Sequence, residues 1–486
     1  MNFSFPLHNI YSNHYLICVT RKCHFSLKRD TKIRNLGSHI SRLPRAFGAL
    51  LLLCTIAVFS APASAVPSYA RQTGHPCVKC HVGAYGPQLT PYGIRFKISA
   101  YTETDNKGFK LPIAAMVMAG FSHTQADQAS PPTPHTNVNN NFELDQVSGF
   151  LAGRIAEDFG VFSQVTYDGV GKGMAIDNVD IRYAHDFVIA RTDAIVGVSL
   201  NNNPGVSDPG NTQPAWYFPY ISSALVSGTG DASTLLNGGL SQAVTGLSAY
   251  AFIDDSIYAE FGTYRALSPA MQIKFGLGAG NDIGRIDPGS FYWRLNYIQD
   301  MNTQAFSAGL IGFNASLQPE RIAGGPVNSY RDVGLDAWYE YLGNGRHNFA
   351  AYASYIREDQ TRSDLVANQG ADNPSGRLYE FRFNASYYYE HTYGLTIGRF
   401  STHGQPDAAL YSFSATGSPD TSGTVLQVDW TPWGKADSWA RPFANVRLGL
   451  QYTMYDTFDG SSSNYDGTGR KASDNNTLFL FLWAAM

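Results

Sequence analysis

The feature that most constrains the fold of this chain is an alternation of apolar and polar residues with a period of two. In the run 378–389, aromatic side chains alternate with Glu380, Arg382 and Asn384, and the run 444–454 repeats the pattern. Successive side chains of a β-strand point to opposite faces. One face of each predicted strand therefore suits an apolar environment, and the other suits water.

The number and spacing of these runs predict a closed barrel. Strands are predicted at 112–124, 142–154, 161–169, 175–187, 193–202, 242–253, 256–266, 289–299, 303–315, 329–342, 346–357, 377–390, 393–402, 421–432, 441–455 and 476–486. Tight turns alternate with long polar links such as 203–241, which are predicted to be outer loops, and 170–174 is a short exception on the outer side. An even strand number with this alternation is typical of transmembrane barrels. We therefore predict an all-β, 16-stranded antiparallel barrel over 111–486, in preference to a soluble sandwich.

Composition is compatible with this prediction and excludes two other classes. Charged residues make up 15% of the chain, and Tyr and Phe number 29 each. A disordered chain would be richer in charge and poorer in aromatic residues. The mean hydropathy of −0.20 is too low for a helical membrane protein.

The N-terminus resembles a secretory signal. Residues 1–45 are basic, 46–59 are apolar, and the small residues 61–65 supply a cleavage site. Removal of 1–65 would take eight Lys or Arg and one Asp from a chain of net charge −4, leaving it more acidic. No nucleic-acid partner is expected for such a chain. The long basic region leaves the true translation start open.

After that cleavage, Cys77 and Cys80 are the cysteines that remain, and they stand in the sequence Cys-Val-Lys-Cys-His that ends at His81. C-x-x-C-H is the attachment pattern of c-type haem, with the histidine as proximal iron ligand. A zinc site would need two more ligands, and a redox dithiol would need a βαβ context. A disulfide across so short a loop would constrain little of the chain. We predict one haem c in a head spanning 66–110.

The distal iron ligand is less defined. Met116 and Met118 share a predicted strand face with Gly120, opposite the face assigned to lipid. A methionine ligand would raise the iron potential, but a strand methionine more often packs. His75 and His123 are the other candidates near the head.

Charged residues of the predicted lumen and loops have two interpretations. Inward arginines are predicted at Arg182, Arg294, Arg382 and Arg447, where they either line a polar lumen or pair with haem propionates. The polar lumen is the favoured interpretation. Loop aspartates at 208, 231, 456 and 459 are interpreted as solvated, and no cluster of His and carboxylates predicts a dedicated iron site.

Three segments carry a resemblance to a known family. Residues 65–81, with Ala-Arg-Gln-Thr-Gly leading into C-x-x-C-H, resemble the fused monohaem cytochrome c–porin family of outer-membrane iron oxidases, as do 89–97 and 214–220. The resemblance implies a haem head within a sixteen-stranded porin, an extracellular donor such as Fe(II), and a periplasmic cytochrome as acceptor. It also implies that 71–74 and 89–97 shape the haem pocket. A haem-bearing solute porin and a conduit for another redox partner remain open.

Overall fold

The structure is a computed structural model that describes residues 68–189, 191–278, 281–322 and 324–486. The predicted signal at 1–65 lies outside the described residues. Three short helices come first: α1 (Ser68–Thr73), α2 (Cys77–Cys80) and α3 (Pro91–Ile98). Two more, α4 (Pro269–Lys274) and α5 (Ser363–Ala367), lie in links between strands. Among the described residues, no helix has the length and hydrophobicity needed to cross a bilayer.

Sixteen long strands follow the head. They are β1 (Ile113–Thr124), β2 (Asn141–Ala156), β3 (Phe159–Asp168), β4 (Gly173–Ile189), β5 (Thr192–Asn201), β6 (Val244–Ile253), β7 (Ile257–Ala266), β8 (Phe291–Asp300), β9 (Gln304–Gln318), β10 (Asn328–Tyr341), β11 (His347–Arg362), β12 (Ser375–Tyr389), β13 (Tyr393–Gly404), β14 (Thr421–Trp430), β15 (Asn445–Thr457) and β16 (Thr477–Ala485). A two-residue strand, Arg285–Ile286, pairs with the end of β9.

All these strands form one antiparallel sheet that closes on itself. Each strand pairs with its neighbours in sequence, and β16 returns to β1 with Met116 opposite Ala485. Closure removes the unpaired edges that an open sheet would expose. The predicted fold of sixteen strands is therefore confirmed. The strand predicted at 441–455 begins later, because 441–444 form part of a turn.

The two faces of the barrel reverse the usual pattern of a soluble protein. The outward side chains are large and apolar, and the exposed ones include Leu247, Leu295, Leu335, Leu395, Val428, Leu450 and Leu480. The inward side is polar, with Arg182, Arg294 and Arg447 fully buried. The alternation in the sequence therefore corresponds to an apolar exterior and a polar interior of the barrel.

The head lies inside one end of this barrel. At this end, called here the short-turn end, tight turns such as Asp254-Asp255 join the strands. Arg95 of α3 pairs with Asp255, and His391 Nδ1 lies 3.1 Å from the carbonyl oxygen of Val82. Ile94 and Ile98 pack in one buried cluster with inward tyrosines, and Tyr250 donates a hydrogen bond of 2.7 Å to the Ile98 carbonyl.

The link between β5 and β6 fills much of the remaining lumen. This stretch, 202–241, is called here the inner segment; the sequence predicted an outer loop, but most of its residues are buried inside the barrel. Buried carboxylates on the barrel wall bind its backbone, since Asp332 accepts a hydrogen bond of 2.8 Å from the Leu236 N–H. The Glu380 carboxylate accepts from Thr234 Oγ1 at 2.8 Å. These contacts satisfy polar groups that would otherwise be buried without partners.

Candidate haem site inside the barrel

The C-x-x-C-H motif forms a single helical turn. Gly74 ends α1 at a φ of +72°, a conformation that favours glycine, and the chain then turns into Pro76 before α2. The His81 N–H donates a hydrogen bond of 2.9 Å to the Cys77 carbonyl and closes the turn. Gly74 therefore supplies a backbone turn directly before the motif.

Helix α3 holds this turn in place. Thr90 caps α3, its hydroxyl accepting from the Gly93 N–H at 3.2 Å and donating to the Lys79 carbonyl at 2.6 Å. The Thr90 N–H donates to the Cys80 carbonyl at 2.9 Å. A Cβ at Gly93 would lie 2.4 Å from that same oxygen, so a side chain there would push α3 away from the motif.

Both cysteines and His81 line a cavity of about 390 Å³ within the barrel. That volume falls in the range of cofactor and ligand pockets, which runs from about 300 to 1,000 Å³. The walls are largely apolar, and their aromatic side chains include Tyr69, Phe96, Phe150, Phe162, Trp216 and Trp483. Leu89, Gly93, Phe96 and Lys97 place the predicted segment 89–97 on this wall.

The donor groups at the cavity suit covalent haem attachment. Cys77 and Cys80 are free thiols, and burial raises the pKa of Cys80 to about 12. Burial lowers the pKa of His81 to about 4, so its imidazole is neutral at neutral pH, the form that binds metals. His81 Nδ1 is buried without a hydrogen-bond partner. Two thiols and a neutral imidazole at an apolar cavity fit a c-type haem.

The predicted distal ligands also line this cavity. Met116 and Met118 are both buried in its wall, and Met118 Sδ accepts a hydrogen bond of 3.1 Å from Gln146 Nε2. Met116 is level with Asn445 through their common strand partner Ala485, and Asn445 donates to the Ala84 carbonyl. Met116 therefore lies at the level of the head, and the choice between the two methionines stays a prediction.

The two candidate histidines differ in position. His75 lines the cavity and lies 3.7 Å from the Glu103 carboxylate. His123 is exposed on β1, where its Nδ1 lies 2.9 Å from Asn140 Oδ1. Of these two, His75 alone borders the site.

Three of the four inward arginines are neutralised by carboxylates. The ion pairs join Arg182 to Asp180 at 2.7 Å, Arg294 to Asp208 and Asp336 at 2.9 Å each, and Arg447 to Asp429 at 3.0 Å. Arg382 differs, because it lines the cavity and its nearest carboxylate, that of Glu380, is 3.7 Å away. The polar-lumen interpretation holds for the other three.

Two loop aspartates were assigned wrongly from the sequence. Asp208 and Asp459 are buried, whereas Asp231 and Asp456 are exposed. Asp208 is buried because the inner segment carries it into the lumen, where Arg294 neutralises it. Within the described ranges, no three or more His, Cys, Asp or Glu side chains are grouped so as to hold a metal ion.

Lys97 borders the cavity and makes contacts that were not predicted individually from the sequence. Its ammonium donates hydrogen bonds to the carbonyls of Val206 and Asp208 and to Asn211 Oδ1, at 2.8, 2.6 and 2.9 Å. It also lies 5.0 Å from the centre of the Trp216 ring. Burial lowers the pKa of Lys97 to about 7, against the opposing effect of nearby carboxylates. Lys97 thus fastens the inner segment to the head beside the cavity.

Comparisons with known proteins give structural likeness alone. No family model and no curated protein matches the chain. In-vitro folded OmpT, an outer membrane protein of Vibrio cholerae, is 12% identical, with 77% of this chain and 96% of that chain covered and a TM-score of 0.39. An anion-selective porin from Comamonas acidovorans is 11% identical, covering 77% and 98% at a TM-score of 0.44. The outer membrane channel DcaP of Acinetobacter baumannii is 10% identical, covering 79% and 99% at 0.42. Likeness at this level identifies neither a family nor a substrate for the chain.

Proposed function

We propose that this chain is an outer-membrane barrel that holds one c-type haem and transfers electrons between an extracellular donor, expected to be Fe(II), and a periplasmic carrier. The observation that carries the proposal is that Cys77, Cys80 and His81 face one cavity inside the lumen. Haem bound there would supply one-electron transfer at its iron. The chain would then be an Fe(II) oxidase of the cytochrome type.

The exterior of the barrel supports the membrane location. Leucine and valine side chains lie exposed on the outward face of successive strands. In water such a surface would be costly, whereas the hydrocarbon core of a bilayer accepts it. Short turns at one end and long loops at the other fit a barrel whose head end faces the periplasm.

The filled lumen favours electron transfer over solute passage. The head and the inner segment meet inside the barrel through Lys97, and Arg294 links the inner segment to the wall through Asp208. The side chains of Lys97, Asp208 and Arg294 are fully or almost fully buried, so water has little access to them. Iron oxidised outside would leave its poorly soluble ferric product outside, and only the electron would cross.

The chain's own residues would control the environment of the iron. His81 offers a neutral imidazole, and aromatic side chains such as Phe96 and Trp483 would pack against a bound ring. Burial raises the pKa of both the Cys77 and the Cys80 thiol, so the unattached thiols are protonated at neutral pH. The choice of donor follows from which reductant reaches this cavity, and another extracellular donor could use the same residues.

A sided vesicle assay tests the proposal. Purified chain is reconstituted into vesicles that contain trapped ferricytochrome c, and Fe(II) is added outside under anaerobic conditions. We expect one trapped ferricytochrome reduced for each external Fe(II) oxidised. The matched control is the Cys77→Ser, Cys80→Ser double variant, which keeps the barrel and lacks the attachment thiols.

Two results would contradict the proposal. Equal rates in the double variant would show that Fe(II) or electrons cross without haem. Rapid vesicle swelling with small solutes, together with an unreduced acceptor, would favour the solute porin. A small swelling rate with reduced acceptor is the expected result.

A further inference from the structure

Strand β2 contains an irregularity that turns an acidic residue inward. Met118 of β1 pairs with Gln146 and the next residue, Ala119, pairs with Leu144, so Asp145 is the extra residue of a β-bulge. Beyond the bulge the alternation changes phase, and Asp145 and Gln146 are both half-buried. Bulges commonly redirect a side chain beside a functional site.

The bulge brings Asp145 beside Glu143, which is buried in the lumen with 8% of its surface exposed. Neither carboxylate oxygen of Glu143 has a donor in normal hydrogen-bond geometry, and Asp145 Oδ2 also has none. Asp145 Oδ1 accepts from the Ala224 N–H at 3.2 Å. Three buried carboxylate oxygens therefore lack a donor, an arrangement that costs free energy unless something neutralises it.

The charged neighbours of the pair do not neutralise it. The principal charged group acting on Glu143 is Asp145, and the one acting on Asp145 is Asp168. Other buried carboxylates of the lumen have at least one partner in hydrogen-bond geometry, as Asp180 has Arg182 and Glu340 has the Tyr352 hydroxyl. Within the described ranges, Glu143 is the buried carboxylate with both oxygens unpartnered.

The surroundings of the pair supply further oxygen ligands and a link to the haem cavity. The hydroxyls of Ser122 and Ser223 and the N–H of Leu225 are the polar groups next to the Glu143 carboxylate, although none of them reaches it in normal hydrogen-bond geometry. Ser223 and Gln146 also line the cavity that contains the cysteines, and Gln146 donates to Met118 in its wall. Glu143 stands near the start of β2, which follows the long link 125–140. The pair thus lies between the long-loop end and the cavity.

We propose that Glu143 and Asp145 bind one hard divalent cation, with the hydroxyls of Ser122 and Ser223 and retained water completing the coordination. Carboxylate, hydroxyl and water oxygens suit Mg²⁺ and Mn²⁺, and Mg²⁺ is commonly held by one or two carboxylates with several waters. In an Fe(II)-oxidising barrel, the site would hold Fe²⁺ beside the cavity wall. That last identification rests on the proposed function, but cation binding does not.

Mn²⁺ binding to the full chain in detergent tests the site. Free Mn²⁺ is followed by its electron paramagnetic resonance signal, at neutral pH, in wild type and in the Cys77→Ser, Cys80→Ser variant. We expect one Mn²⁺ per chain, with a dissociation constant on the order of 10⁻⁴ M. Binding in the variant without attachment thiols would separate this site from the haem proposal. Competition by Mg²⁺ and by anaerobic Fe²⁺ then ranks the cations.

The near-isosteric variants Glu143→Gln and Asp145→Asn should each weaken Mn²⁺ binding tenfold or more. The matched control is Glu340→Gln, a buried lumen carboxylate that stands alone beside Tyr352 Oη; it should bind Mn²⁺ as wild type does. A shift in gel mobility between heated and unheated samples checks that each barrel is folded. If folded wild type binds no Mn²⁺, a shared proton must reduce the repulsion between the two carboxylates, and the proposal is overturned. Unchanged Mn²⁺ binding in the Glu143 and Asp145 variants would also overturn it.

Discussion

The Lys97 ammonium binds the inner segment to the head, so its removal should lower the local stability of that segment. Lys97→Met keeps an unbranched side chain as far as the ε position and removes the ammonium that donates three hydrogen bonds, to Val206, Asp208 and Asn211. Hydrogen bonds to a charged group contribute about 1.5–3 kcal/mol each. Relief of the buried ammonium's desolvation offsets several kcal/mol of that sum. We expect a net loss of about 2–4 kcal/mol in the local stability of the inner segment.

Hydrogen exchange followed by mass spectrometry measures this loss directly. The amides of Val206 and Gln213, bonded to Asn203 and to the Asp208 carboxylate, report opening of the segment. Since about 1.4 kcal/mol corresponds to a tenfold change, amide exchange should accelerate by about 30- to 700-fold. The assay is run at pH 6, below the lysine pKa of about 7. Lys107→Met, at an exposed head lysine, is the control and should change exchange less than about threefold. A similarly small change in Lys97→Met would refute the reasoning.

Three further predictions concern the haem site and the lumen. Either Cys77→Ser or Cys80→Ser should leave haem on one thioether, whereas the double variant should lose all haem on denaturing gels; retained haem there would contradict covalent attachment. Met116→Leu should lower the reduction potential more than Met118→Leu in a redox titration, because thioether ligation raises the potential and Met116 is level with the head; the reverse order would favour Met118. Arg294→Leu should destabilise the barrel by about 3–5 kcal/mol in urea, since Asp208 and Asp336 lose their buried cation. Arg285→Leu, at an exposed pair, should cost less than about 1 kcal/mol, and equal losses would contradict the argument.

The barrel was predictable from the sequence because its determinant is local. Alternation over 378–389 reflects a strand with lipid on one side and a polar lumen on the other, and the observed β12 covers that run. Strand ends were less predictable, as at 441–444, because a turn can contain apolar residues without being extended.

The contents of the lumen were not predictable in the same way. The inner segment has no period of its own, and it is held by residues far away in sequence, such as Asp332 and Glu380. Lys97 likewise meets acceptors more than a hundred residues away. The bulge at Asp145 is visible in the alternation of β2, because the inward positions change from odd to even numbers between Glu143 and Ser148.

The central claim is that the C-x-x-C-H turn carries a haem that an external reductant can reduce. Its most direct test is the absorption spectrum of the purified chain in detergent before and after anaerobic addition of Fe(II). We predict one haem per chain, with a reduced α-band that grows within minutes in wild type and is absent from the Cys77→Ser, Cys80→Ser variant. A chain without haem, or a haem whose α-band stays unchanged over minutes, would contradict the account.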